Sequence, residues 1–221
     1  MLKCRKNESN AIVRQKDEVR MIDFNRDIDL SIKYYTTSQY VLDKFKPIAI
    51  KRVIDPEDAD FLVLDSESFS MEKQHNSKLI FSIDNTIDGC RAVISKTNII
   101  AYLSMIDRMN SEEYFVSMAD FSDVMRVSCG KLLHLSRYAL NVSEEEIYAN
   151  LPQEFTYENV GIIVFISNRD GHLLERVSGK INLMYPNGNI VIMMPAHESQ
   201  HAELFVEVYV FESTVEEPIW T

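Results

Sequence analysis

His197-Glu198-Ser199-Gln200-His201 spells H-E-x-x-H. In that pattern two histidines four residues apart share a helix face and bind zinc, with the glutamate between them as a base. The chemistry needs a helix. Here Pro195 precedes the motif, one strand-like run ends near Met194 and another begins by Glu203. The segment reads as a hairpin loop without an evident third ligand, so no metal is expected and metalloprotease is the minor reading. Ser128, in Val127-Ser128-Cys129-Gly130, lacks the first glycine of a nucleophile elbow. Cys129 reads as a small buried hydrophobe rather than a nucleophile. His134 and His172 are isolated, and His134 lies in an apolar stretch, as a structural histidine does. Asp120 and Asp123 stand where a short helical pattern opens. Carboxylates there can accept from free backbone N–H groups and oppose the helix dipole.

Phosphate chemistry is argued against by glycine. The six glycines are Gly89, Gly130, Gly161, Gly171, Gly179 and Gly188, no two adjacent or one apart. A loop that cradles phosphate needs close backbone approach and positive φ at several neighbouring positions. Neither G-x-G-x-x-G nor G-x-x-x-x-G-K-[ST] can be written from this set. No nucleotide cofactor is expected.

The net charge of −11 argues against a nucleic-acid partner. The one basic cluster (Lys3, Arg5, Lys6, then Arg14, Lys16, Arg20) is interrupted by acids. It reads as a solvated terminus, with an anionic-ligand site as the alternative. Cys4, Cys90 and Cys129 are odd in number and widely spaced, as in a reduced, cytoplasmic protein. The first twenty residues hold no apolar core, so no secretory signal is expected. No apolar run approaches the ~18 residues of a membrane span.

The elements that must position these side chains read as α/β. Residues Asp29–Tyr35 alternate loosely, and Lys46–Val53 is a short apolar-basic run. Asp60–Asp65 and Lys78–Ile83 are short apolar runs typical of buried strands. Ile99, Ile100, Leu103, Met105 and Ile106 fall near helical spacing. Asp120–Val127 reads as a short helix with Asp120 as N-cap, and Lys131–Leu140 is ambiguous between helix and strand. Ser143 followed by Glu146 is a capping pattern. Val160–Ser167 reads as a strand, Leu173, Val177, Ile181 and Met184 as a helix face, and Asn189–Met194 as another strand. In the last strand Phe205, Glu207, Tyr209 and Phe211 share one face, and Val206, Val208 and Val210 the other. The first strand pair is expected to be parallel, and the last two strands are expected to pair antiparallel.

That order of pieces resembles the C-terminal domain of FtsZ, the bacterial tubulin relative. The family carries Asn-x-Asp-Phe-x-Asp-Val before this domain. Met118-Ala119-Asp120-Phe121-Ser122-Asp123-Val124 matches it except at Met118, where the family has asparagine. Gly161-Ile162-Ile163-Val164-Phe165-Ile166 stands for the family's Gly-Val-Leu-Val-x-Ile strand, Asn189–Ile192 for its Asn-Ile-Val-Ile strand, and Glu203–Val208 for its Glu-Leu-Arg-Val-Thr-Val strand. Upstream, Ala59–Leu64 is similar to the strand that leads into the family's phosphate loop. Here it leads into Asp65-Ser66-Glu67-Ser68, where two acids would repel phosphate.

The resemblance implies three parts. Residues 1–97 would be a reduced, degenerate nucleotide-binding-like domain, or else an unrelated small domain. Residues 98–213 would be an α+β, FtsZ/tubulin-like mixed sheet with helices, and 214–221 a short tail. In the family the two loop aspartates act across a subunit boundary on the neighbour's nucleotide, which is positioning and base work. Asp120 and Asp123 match them, so either they act in trans or they simply cap the helix. No enzymatic activity is expected. The function implied is structural or regulatory: a protein of the cytoskeleton and cell division type that lacks GTP binding and modulates or caps FtsZ-type filaments. Its partner would be FtsZ or itself, through Met118, Asp120, Phe121 and Asp123. Trp220, in Glu217-Pro218-Ile219-Trp220, either packs back on the domain or serves as a short adaptor-binding peptide. A scaffold unrelated to division, or a residual GTPase, is the alternative.

Overall fold

A computed structural model describes residues 31–65, 79–87, 89–111, 120–139, 143–153, 155, 159–167, 171–195 and 205–213. The fold is mixed α/β, as the apolar runs predict. Among the described residues nine strands form one sheet: β1 (Lys33–Thr36), β2 (Lys51–Arg52), β3 (Phe61–Asp65), β4 (Leu79–Ile83), β5 (Ala92–Ile94), β6 (Gly130–Ala139), β7 (Asn159–Ile166), β8 (Asn189–Met193) and β9 (Phe205–Ser213). The helices are α1 (Gln39–Lys44), α2 (Ile99–Met109), α3 (Phe121–Val127), α4 (Glu144–Ala149) and α5 (Gly171–Met184).

The strand order is β2-β1-β3-β4-β5-β6-β9-β7-β8. Neighbours are parallel except at β9, which runs antiparallel to both β6 and β7. The expected parallel pair β7–β8 is present. The expected pairing of the last two strands is not: β9 lies between β6 and β7, and β8 is an edge. Burial explains the choice. Every residue of β9 is buried, so it belongs in the sheet centre, whereas β8 keeps Asn189 exposed and Ile190 and Ile192 half-buried. The ambiguous Lys131–Leu140 segment is strand β6. Its register shifts between Leu132 and His134, which leaves Leu133 as the extra, exposed residue of a bulge. The sheet runs unbroken across position 97, because β5 and β6 are paired.

Side-chain alternation divides the core. Phe61, Val63, Phe81, Ile83, Ile163, Phe165, Phe205, Tyr209 and Phe211 face the side that carries α2 and α3. Val160, Ile162, Val164, Ile166, Val206, Val208 and Val210 face α4 and α5. Each such large apolar side chain taken from water contributes about 1.5–3 kcal/mol. Helix α2 is apolar over most of its circumference, with Ile99, Tyr102, Leu103, Met105 and Ile106 fully buried, the mark of a helix enclosed on several sides.

The sheet encloses much of α2, with α1 packed beside it. Asp107 accepts hydrogen bonds from the backbone N–H groups of Ile48, Ala49 and Ile50 at 2.7–3.1 Å, just before β2. The next residue, Arg108, reaches Glu207 on β9 at 2.8 Å. In a flat sheet, β2 and β9 would stand six strand spacings apart, about 29 Å. Two consecutive helix residues cannot bridge that. The sheet therefore curls around α2. Helix α3 agrees: it packs on β7 and β8, while its Phe121 ring lies 5.8 Å from the ring of Phe61 on β3.

Candidate functional site

The first turn of α3 collects three of the side chains singled out from the sequence. Asp120 is the N-cap. Its Oδ1 accepts from the Asp123 backbone N–H at 3.0 Å and from the Ser122 hydroxyl at 2.6 Å. Asp123 reciprocates, its Oδ2 accepting from the Asp120 N–H at 3.2 Å. The pair forms a capping box in which aspartate takes the place more often held by glutamate. Asp123 also lies 3.6 Å from Arg126, one turn on. The Ser122 hydroxyl, then the Asp123 amide, hold the Asp120 carboxyl below the usual carboxylate range. Asp120 therefore faces solvent ionised, and the reciprocal bonds fix both side chains in direction. Phe121 between them turns inward onto Phe61 and anchors the turn to the sheet.

The far end of α3 is held as firmly. Arg91, just before β5, donates from Nε to the Met125 carbonyl at 3.1 Å and from Nη2 to the Arg126 carbonyl at 2.8 Å. A cation placed on the last carbonyls is favourable both as donor and against the dipole. Gly161 of β7 lets the helix end sit directly on the strand: a Cβ there would lie 2.0 Å from the Val127 carbonyl oxygen.

Met118, Trp220 and the H-E-x-x-H stretch at 197–201 lie outside the described residues, as do residues 66–68 after Asp65. Cys129 is partly exposed, and its Sγ is 3.4 Å from the Ser213 hydroxyl. His134 Nε2 is 2.6 Å from the Ser136 hydroxyl, and burial lowers its pKa. It is a satisfied structural histidine, as its apolar setting predicts. Its small separation from Ser136 is that of next-but-one residues on one strand face. Among the described residues no three His, Cys, Asp or Glu side chains gather as a metal site.

A second cluster escaped the sequence reading. Glu207, 3% exposed, sits in the middle of β9. It accepts from Arg108 Nη2 at 2.8 Å and from the Tyr209 hydroxyl at 2.8 Å, and Arg137 Nε lies 3.8 Å away. The Arg137 guanidinium stacks 3.7 Å from the Phe205 ring centre, and Arg108 lies over both Phe165 and Phe205. Burial pushes the Tyr209 phenol well above its ordinary value, so it remains a donor. A lone glutamate alternating with aromatic residues in a buried strand is a signal in itself, since such a charge must find a cation. The cluster ties α2, β6 and β9 together. No known protein-family model matches the chain, and no curated protein matches it.

Proposed function

We propose that the chain is an FtsZ-like protein that does not bind GTP and that modulates or caps FtsZ-type filaments through the first turn of α3. The observation that carries this reading is the reciprocal Asp120–Asp123 capping box: one exposed and one half-exposed carboxylate, bonded to each other's backbone, in the stretch that matches the family's loop in sequence. Such an acid pair is pre-organised to meet donors on a partner without further ordering cost. Glycines too sparse for a phosphate loop fit a subunit that joins a filament at one end only.

Light scattering by purified FtsZ with GTP, with and without sub-stoichiometric amounts of this chain, tests the reading. Suppressed or shortened polymerisation is the expected result, alongside a chain that retains no GTP of its own. The double variant Asp120→Asn/Asp123→Asn keeps side-chain acceptors for the cap but removes both charges. It should lose the effect on polymerisation with little change in melting temperature. An unchanged effect would move the interface elsewhere. A chain without influence on FtsZ would leave the second reading, a scaffold whose aspartates serve only the helix that they cap.

A further inference from the structure

Among the described residues, strand β8 ends the nine-stranded sheet and its hydrogen-bonded neighbour is β7. The other edge of Asn189–Met193 thus meets no strand among the described residues. Natural edge strands are usually blunted by charge, proline, a bulge or brevity, because an open edge is a template for another strand. The opposite edge of this sheet obeys that rule: β2 is two residues long, Lys51 and Arg52, both exposed. Strand β8 does not. It is five residues, Asn-Ile-Val-Ile-Met, with no charge and no proline, in a chain of net charge −11. Its register with β7 runs without a bulge.

We propose that β8 pairs antiparallel with β8 of a second copy, joining two sheets edge to edge in a two-fold dimer. The strand is complementary to itself. With the axis at Val191, Asn189 stands opposite Met193 of the second copy, Ile190 opposite Ile192, and Val191 opposite Val191. No like charges meet, and apolar cross-strand pairs form on both faces. The symmetry is closed: one edge of each sheet is consumed, and the remaining edge, β2, is short and cationic, so assembly stops at two. Each copy carries −11, so long-range repulsion opposes the dimer at low salt and is screened at physiological ionic strength and above.

Sedimentation velocity of the full chain at micromolar concentration, in low and high salt, tests this without FtsZ present, so its outcome is separate from that of the filament reading. A dimer that tightens several-fold with added salt is expected. The variant Ile190→Lys/Ile192→Lys sets lysine opposite lysine twice and should sediment as a monomer. The variant Ile190→Lys/Ile192→Glu sets lysine opposite glutamate twice and should restore the dimer. Circular dichroism checks that each variant is folded. Hydrogen exchange on the unaltered chain adds a measurement that needs no variant: protection of the β8 amides should fall on dilution. A wild-type chain that stays monomeric, a dimer indifferent to the lysine pair, or β8 amides indifferent to dilution would overturn the proposal.

Discussion

Asp120 and Glu207 illustrate two uses of a carboxylate in this molecule. Asp120 is exposed, and its value lies in direction rather than in burial. Its folded pKa is depressed, chiefly by the Ser122 hydroxyl and the Asp123 amide. The sign follows: the stability it contributes is present above the ordinary aspartate value of about 4 and is lost as pH falls through the lower folded value. Urea midpoints measured from pH 5 to pH 2 should therefore fall less steeply in Asp120→Asn than in the wild type, the remaining carboxylates being common to both. Glu207 is buried against two guanidinium groups and a phenol. Replacing it by glutamine would remove the charge that Glu207 presents to Arg108 and Arg137. Because both arginines are partly exposed, the cost should be about 1–3 kcal/mol, below that of breaking a fully buried pair. Urea denaturation of Glu207→Gln measures it, and a neutral result would mean that solvent already screens the cluster.

At the scale of elements, what the sequence made legible was what local chemistry dictates. The strict alternation of Phe205 to Phe211 marked β9, and Ser143 with Glu146 marked the start of α4, where the serine hydroxyl accepts from the Glu146 amide at 3.2 Å. Asp120 was readable as a cap because its partners are two and three residues away. Strand β5, three residues long, and α1, six residues long, are too brief to show a period. Strand β6 hid for another reason: its bulge breaks the alternation at Leu133. The pairing of β9 went unread because hairpin logic favours the preceding strand, whereas burial on both faces favoured the centre. Helix α3 owes its place to contacts distant in sequence. Gly161→Ala should drive a methyl group into the Val127 carbonyl and cost more than about 3 kcal/mol. A drop in the urea midpoint together with lost near-ultraviolet dichroism would report the displaced helix, and a wild-type midpoint would contradict the packing.

Across the whole molecule, one sheet wrapped around one helix makes the two halves interdependent. Helix α2 is clamped on one side by the residues before β2 and on the other by β9. Neither side can leave without exposing the buried face of α2. Unfolding of the described parts should thus be a single transition, with tyrosine absorbance and far-ultraviolet dichroism coinciding in urea. Two separated transitions would mean that position 97 is an energetic boundary as well as a point on the chain. The place of β9 has a consequence for biosynthesis. Of the strands among the described residues it is the last to emerge from the ribosome, yet it fills the gap between β6 and β7. Until Phe205 and its successors are made, seconds after β7 at ~5–20 residues per second, both of those strands stand with open apolar edges inside an unfinished sheet. The nascent chain is therefore a natural client for chaperones that shield extended segments, and a message truncated before codon 205 would yield an aggregating product rather than a smaller folded one.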